Sequence, residues 1–162
     1  SQQRKVHLLI VSNGENKTYL EKICREKKIQ RNVTLVGPIP RGEIRDYYEQ
    51  IDVIAIPRLS GSMMARIVTP LKPMEALALG IPLIISDTPA IRELVGDGNA
   101  TLFRSGNIPE LFEKLCIIMD DEIETKKKVE RGIVWIRNKG TWEISAKKTL
   151  SEYNRLLESL DF

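Results

Sequence analysis

Lys72 and Glu75 lie three residues apart in the run TPLKPMEALALGIPLIISD, where a turn leads into a predicted helix, a glycine and an apolar strand. Pro70 suits the start of that helix because its missing N–H would have had no partner there. The first-turn N–H groups and the helix dipole favour an anion, usually phosphate, and the Lys72 ammonium adds a charged donor. The Glu75 carboxylate has acceptors for two adjacent sugar hydroxyls, such as those of a ribose. The spacing therefore predicts a site for a phosphate and a ribose.

The same two side chains also have a simpler interpretation. A lysine and a glutamate three residues apart on a helix surface form an ion pair that contributes about 0.2–0.5 kcal/mol and needs no ligand. The small residues that follow, Ala76, Ala78 and Gly80, favour close packing of the helix on a sheet, which would bring its first turn near the sheet edge. Because such residues are typical of any α/β unit, both interpretations stay open at this point.

Apolar strands and amphipathic helices alternate along the chain. The pattern predicts strands at 5–12, 32–37, 52–57 and 82–86 and a short one within 96–103, and helices that include 71–79, 89–95 and 108–121. Connections of this kind give right-handed, parallel pairing. We therefore predict an α/β fold, an open doubly wound parallel sheet of Rossmann-like type with helices on both faces. Ligands bind beyond the carboxyl ends of such strands, and the loops there are 12–16, 36–41, 57–70 and 86–89.

Four further residues have polar or aromatic groups for which a structural role is predicted. His7, on the apolar face of the first strand, is expected to be a core histidine and not a general base. Asp87 is expected to cap the helix that follows it. Trp135 and Trp142 flank a helix break at 138–140 and are expected to anchor the C-terminal segment on the body of the domain.

The composition is that of one folded domain. The chain has 162 residues, 42% of them hydrophobic and 29% charged, and no apolar run is long enough to cross a bilayer. The net charge of +3 gives no support for nucleic-acid binding. Cys24 and Cys116 lack metal-ligand spacing, so we expect small core residues of a cytoplasmic protein, with neither a disulfide nor a bound metal.

Basic residues gather late in the chain and have two interpretations. They form either a solvated helix face or a surface attracted to an anionic membrane or partner. They are Lys126, Lys127, Lys128, Arg131, Arg137, Lys139, Lys147 and Lys148.

The run PLKPMEALALGIPLIISDTPAIRELVGDGNATLF resembles the C-terminal domain of the family 4 (group 1) nucleotide-sugar glycosyltransferases. The glutamate, the small-residue helix, the Gly-x-Pro before a strand, the Ser-Asp after it and the Asp-Gly turn all match. Further runs match in order and spacing: HLLIVSNGENKTYLEKI, NVTLVGPIP, YYEQIDVIAIPRL, PELFEKL and TWEISAKKTLSEYNRLL. Those enzymes have the GT-B fold, in which two Rossmann-like domains face each other across a cleft. The resemblance implies that residues 1–162 form a single donor-binding domain.

The resemblance also implies which residues contact a nucleoside diphosphate sugar, the donor substrate. Glu75 matches the glutamate that binds the ribose. The implied diphosphate contacts are Thr69, Pro70, Leu71 and Lys72, and the implied base contacts are Gly37, Pro38 and Ile39. No cofactor or metal is implied.

The sequence departs from the family pattern at one site position. Eight residues before Glu75, where the family commonly has a first glutamate that contacts the donor sugar, this chain has Ile67. Lys72, Arg66 or Arg58 is expected to take over contacts with the sugar or the phosphate.

Two parts of the family architecture are missing from the chain. It begins after the strand that carries an arginine and a lysine against the diphosphate, and the acceptor-binding N-terminal domain is absent. We expect a truncated piece that is inactive alone, and we expect the helix at about 141–160 to pack back toward the missing domain. The implied activity of the full-length protein is retaining glycosyl transfer to a saccharide or lipid-linked acceptor, in polysaccharide synthesis. The full-length protein is also compatible with peripheral association at the inner face of the membrane.

Two other functions are compatible with the residues. A non-catalytic α/β module that binds a nucleotide or a partner protein is the main alternative, and Ile67 together with the missing arginine–lysine strand favours it. An epimerase acting on sugar nucleotides, on the same two-domain plan, is the weaker one.

Overall fold

The computed structural model describes residues 5–11, 14–40, 42–59 and 70–159. The chain divides into two compact units, Ser1–Gln50 and Ile51–Phe162. In the described ranges, no helix is both long enough and apolar enough to span a bilayer.

The first unit contains two parallel strands and short helices. Its elements are β1 (Leu8–Val11), α1 (Lys17–Glu26), a 3₁₀ turn (Gln30–Asn32), β2 (Val33–Val36) and α2 (Ile44–Tyr48). β1 is shorter than the predicted strand and leaves His7 outside it. The prediction of a core histidine is wrong, because His7 is exposed and its Nε2 lies 2.8 Å from the hydroxyl oxygen of Thr34.

No side chain in the described part of the first unit is buried. Val6 and Leu8 are 53% and 49% exposed, although the pattern of this segment is that of a strand covered on both faces. A unit of this length has little capacity to form a core of its own. The apolar side chains of the first unit therefore lack the cover that their sequence pattern predicts.

The second unit contains a three-stranded parallel sheet in the order β3–β4–β5. Its strands are β3 (Ile54–Ile56), β4 (Leu83–Asp87) and β5 (Thr101–Arg104), and its helices are α3 (Leu71–Leu79), α4 (Pro89–Val95), α5 (Ile108–Asp120), α6 (Glu122–Lys139) and α7 (Trp142–Glu158). The predictions of an α/β fold with parallel strands and of helices at 71–79 and 89–95 are confirmed.

The core of the second unit lies on both faces of β4. Successive side chains of a strand point to opposite faces, and the adjacent residues Ile84 and Ile85 are both fully buried. Ile85 belongs to a cluster with residues of α3, α4 and α6, whereas Ile84 packs with Phe103 and with Ile118 of α5. The central strand is therefore covered by helices on each side, as the continuous apolar run LIIS predicts.

Helix α3 ends at Gly80, which has the positive φ of +69° that glycine adopts without strain. The N–H of Ile81 donates to the carbonyl of Ala76 at 3.0 Å, and that of Gly80 donates to Leu77 at 3.2 Å. This pair of bonds is the Schellman arrangement, which satisfies carbonyls at the helix end and turns the chain into β4.

We expect Gly80→Ala to lower the free energy of unfolding by about 1–2 kcal/mol, because the left-handed conformation disfavours a side chain. The added Cβ would also lie 3.1 Å from Cδ1 of Ile133. Urea unfolding followed by circular dichroism measures the change. Gly42→Ala is the control, since a Cβ there meets nothing within 4 Å. Coincident unfolding curves for the two variants would contradict this account.

Candidate functional site

The start of α3 presents fewer backbone donors than the sequence alone suggests. Pro70 has the extended conformation of a capping residue (φ −74°, ψ 137°), so the helix begins at Leu71 and not at the proline. Pro73, in the first turn, is fully buried and has no N–H. The first-turn amides for which the helix offers no acceptor are therefore those of Leu71 and Lys72.

The side chains of Lys72 and Glu75 meet beside these amides. The ammonium nitrogen of Lys72 lies 2.9 Å from Oε2 of Glu75, and the two side chains are 60% and 40% exposed. This ion pair is what the surface-pair interpretation predicts. It also places a cation and a carboxylate at the same exposed helix start, so each of them is accessible to a ligand from solvent.

Arg58 follows β3, and its backbone is held by two serines, one at the end of β4 and one just after β5. The hydroxyl oxygen of Ser86, at the end of β4, accepts a 2.7 Å hydrogen bond from the Arg58 N–H. The hydroxyl of Ser105, just after β5, donates to the Arg58 carbonyl at 2.7 Å. Ser86 is 1% exposed. These bonds fix the backbone from which the Arg58 side chain projects at the carboxyl edge of the sheet.

The sequence predictions named neither serine as important. A serine after an apolar strand is a weak signal, because its partner here lies 28 residues away. The Ser-Asp pair at the end of β4 is the only sequence feature that marks Ser86.

Asp87 does not cap α4 as predicted. Its carboxylate accepts hydrogen bonds from Nε and Nη2 of Arg92, at 2.7 and 2.5 Å. The cap is Thr88, whose Oγ1 accepts the N–H of Ile91 at 3.3 Å. The prediction is wrong because the hydroxyl one residue later already satisfies the helix start, while an arginine lies within reach of the carboxylate.

A second carboxylate is paired beyond the end of β5. Glu110, in the first turn of α5, accepts hydrogen bonds at Oε2 from the backbone N–H and from Nε of Arg104, at 3.2 and 3.0 Å. The side-chain bond to Arg104 is the main reason that the pKa of Glu110 lies below its ordinary value. Arg104 is therefore engaged with a protein carboxylate at this edge.

The remaining predicted contacts divide into two groups. Gly37, Pro38 and Ile39 directly follow β2 in the first unit, where Pro38 is exposed, and their contact with a base stays a prediction. Thr69, Arg66 and the position of the missing first glutamate, Ile67, lie outside the described residues.

A cavity of about 490 Å³ lies elsewhere in the second unit, between α6 and the loop after α4. Trp135 helps to form it, and its indole N–H donates to the carbonyl of Leu94 at 3.1 Å. The prediction that Trp135 anchors this segment is confirmed, and the same prediction for Trp142 is wrong because that side chain is 81% exposed.

Within the described ranges, no three His, Cys, Asp or Glu side chains converge as a metal site requires.

The parallel sheet, with helices packed on both faces, is that of a Rossmann-like α/β domain, in which ligands bind beyond the carboxyl ends of the strands. Residues 1–134 match the family described as glycosyl transferases group 1. The chain therefore belongs to the group 1 glycosyltransferase family.

The curated relatives of this chain are longer than the chain itself. The D-inositol 3-phosphate glycosyltransferase of Corynebacterium glutamicum is 25% identical over 133 residues, which cover 82% of this chain and 30% of that protein. An uncharacterized glycosyltransferase of Methanocaldococcus jannaschii is 21% identical over 94% of this chain and 38% of its own length. The chain thus spans about a third of these relatives.

Solved structures of other proteins superpose on this chain and have the same α/β fold. Sucrose-phosphate synthase from Thermosynechococcus elongatus superposes with a TM-score of 0.77 at 20% identity, over 94% of this chain and 39% of that one. Anabaena HepE in complex with UDP-glucose superposes with a TM-score of 0.76 at 19% identity, over 93% and 42% of the two chains. The chain therefore has the α/β fold of one half of such enzymes.

We expect Ser86→Ala to lower the free energy of unfolding by about 1–2 kcal/mol, because the Arg58 N–H loses its acceptor. Amide exchange at Arg58 should accelerate more than exchange at amides of α6. Ser151→Ala, on the exposed surface of α7, is the matched control and should leave both quantities unchanged. Slow exchange at Arg58 in Ser86→Ala would contradict the role given to this hydroxyl.

Proposed function

We propose that this chain is the donor-binding part of a retaining glycosyltransferase and that its substrate is a nucleoside diphosphate sugar. The proposal rests on the contact at the start of α3 between Nζ of Lys72 and Oε2 of Glu75, which lie 2.9 Å apart. Membership of the group 1 family supports it, as does the structural likeness to a protein crystallised with UDP-glucose. The nucleotide base, the sugar and the acceptor are left open.

The proposed chemistry follows from the groups at the helix start. The Lys72 ammonium and the amides of Leu71 and Lys72 bind the diphosphate and stabilise the negative charge that grows on it as the sugar departs. Glu75 accepts hydrogen bonds from the two ribose hydroxyls. Arg58, held at the end of β3, contacts the sugar or a phosphate, and the same role is proposed for Arg66 and Thr69. This set of cations requires no metal for the departure of the diphosphate.

A non-catalytic binding module remains the alternative, and the ion pair itself is the observation that favours it. Half-exposed lysine and glutamate side chains that satisfy each other are common on helices without any ligand. The two functions differ in whether Glu75 distinguishes ribose from deoxyribose.

We expect Glu75→Ala to weaken binding of a ribonucleoside diphosphate by about 10- to 100-fold, because hydrogen bonds to a charged acceptor are lost. The 2′-deoxy analogue should bind wild type more weakly and respond less to the substitution. Calorimetric titration with uridine, guanosine and adenosine diphosphates measures both effects.

The control for this titration is Glu152→Ala, which removes the same type of ion pair, with Arg155 at 2.8 Å, from α7. It should leave nucleotide affinity unchanged. Equal wild-type affinity for the ribose and deoxyribose forms would favour the binding module over the transferase.

We further propose that additional polypeptide upstream of residue 1 completes the domain. The Ile54 N–H donates to Pro82 at 2.8 Å on the β4 side, so the amide of the next residue, Ala55, points to the other edge of β3. No described strand pairs with that edge. The uncovered first unit and the greater length of the relatives support the same proposal. We propose that a further parallel strand binds at the open edge of β3.

The C-terminal helix α7 is proposed to pack against the acceptor-binding domain. Its apolar side chains recur at helical spacing along one side and are more than half exposed: Trp142, Leu150, Tyr153 and Leu157. Such a stripe is typical of a helix that is covered by another element. The chain alone is then expected to transfer no sugar.

Extension of the chain by its upstream sequence should slow amide exchange at Ala55 by at least tenfold, because the N–H gains a strand partner. The emission of Trp142, recorded with Trp135 replaced by Phe, should shift to the blue as the indole leaves water. Exchange at the Gly140 amide, already bonded to the Ile136 carbonyl at 2.9 Å, serves as the internal control. Unchanged exchange at Ala55 would contradict the added strand, and unchanged emission would contradict the docking of α7.

A further inference from the structure

We propose that the cavity between α6 and the loop after α4 is a second binding site and that its ligand is an uncharged oligosaccharide. Its volume of about 490 Å³ lies in the range of small-molecule sites, roughly 300–1,000 Å³. An aromatic ring and several polar side chains form its wall. None of its residues belongs to the proposed donor site, so this proposal does not rest on that function.

Trp135 gives the cavity an aromatic wall whose position is fixed by the protein. Its indole N–H donates to the carbonyl of Leu94 at 3.1 Å. Gly96 lies against the same ring with a φ of +71°, and a Cβ added there would lie 2.7 Å from Cε2 of the indole. Glycine alone permits both this conformation and this contact. The indole is therefore in place before a ligand binds, which lowers the entropic cost of binding.

Two other lining side chains hold the loop after α4 in the shape that encloses the cavity. The buried amide of Asn99 donates to the carbonyl of Val95 at 2.9 Å. The guanidinium of Arg131 donates to the carbonyl of Gly98 from Nε and Nη2, at 3.2 and 3.0 Å, and pairs with Glu124 at 3.1 Å. These donors are used within the protein, so their main effect is to fix the cavity wall.

Hydrogen-bonding groups for a ligand come from four exposed side chains of the lining. They are the carboxylates of Asp97 and Glu130, the amide of Asn138 and the ammonium of Lys139. Within the part of the chain that the structure describes, none of these four side chains has a hydrogen bond or an ion pair with another residue. A ligand therefore competes only with water for them.

The chemistry of the lining favours a saccharide over a charged ligand. Two carboxylates and two cations line the cavity, so their formal charges cancel, and the carboxylates oppose the phosphates of a nucleotide. A sugar ring presents C–H groups on its faces and hydroxyls around its edge. The C–H groups match the apolar surface of Trp135. The hydroxyls both donate and accept, and they match a lining that contains carboxylate acceptors, an ammonium donor and an amide with both.

The length of the cavity favours several sugar units over one. Glu130 and Lys139 both line it and lie about 13 Å apart along the axis of α6. This distance exceeds the size of a single sugar ring. The C-terminal end of α6 lies beside α3, because a Cβ added at Gly140 would lie 3.2 Å from Cε of Met74. An oligosaccharide bound along α6 therefore has one end near the first turn of α3.

NMR titration of the 162-residue chain with maltotriose, cellotriose and N-acetylchitotriose, three uncharged trisaccharides, tests the proposal. At least one of them should shift the indole N–H signal of Trp135 and the side-chain amide signals of Asn138. Asn138→Ala and Glu130→Ala should each raise the Kd by about three- to tenfold, because each removes hydrogen bonds to the ligand. Both residues are exposed, so neither substitution disturbs the core.

The controls are on α7 and at the donor site. Asn154→Ala, on the exposed surface of α7, should leave the Kd unchanged, and so should Glu75→Ala. The indole N–H signal of Trp142, an exposed tryptophan outside the cavity, should not move. Absence of a shift at Trp135 with all three trisaccharides overturns the proposal. Equal shifts at the two tryptophans, or an equal loss of affinity in Asn154→Ala or Glu75→Ala, also overturn it.

The same titration of the chain extended by its upstream sequence distinguishes a protein occupant from a saccharide. If the Trp135 signal moves on extension and the trisaccharides no longer bind, a segment of the longer protein fills the cavity and the proposal is overturned. Unchanged trisaccharide binding in the extended chain supports it. Nucleotide binding that depends on Glu75 is measured separately, so either site can fail without the other.

Discussion

The close packing of α3 between the sheet and α6 is the constraint on which the rest of the second unit depends. Ala76 and Leu77 lie on the buried face of α3. A Cβ added at Gly132 of α6 would lie 2.7 Å from Cδ2 of Leu77. Glycine at position 132 therefore lets Leu77 pack against α6 where a side chain would clash, and this close packing fixes the position of α3. The first turn is therefore held at the carboxyl edge by contacts that use no polar group, and Lys72 and Glu75 stay on the solvent side.

The polar groups of this edge compensate one another. Besides Lys72 with Glu75, Arg92 pairs with Asp87 and Arg104 pairs with Glu110. Exposed pairs of this kind contribute little to stability, because water and salt screen them. Their effect is to order the side chains and to keep the local charge low, so an incoming anion finds cations that already have a partner.

The two units differ in how complete they are. The second has buried clusters on both faces of β4, whereas the first has no buried side chain in its described residues. The chain spans 30% and 38% of the two relatives described above. The exposed apolar residues of the first unit should be covered only in the longer protein, so the domain should reach its full stability only there. The transferase activity that we propose also belongs to that longer protein.

The sequence by itself determined the order of strands and helices, the parallel α/β class and the bounds of α3 and α4. These features follow from apolar periodicity and from proline and glycine at the element ends, which act over a few residues. Tertiary structure alone decided which side chains satisfy each other. Ser86 and Ser105 hold the backbone of Arg58, and His7 and Trp142 are exposed. Each of these outcomes depends on which residues lie close to one another in the folded chain although they are far apart in the sequence. Apolar periodicity gives no information about such contacts.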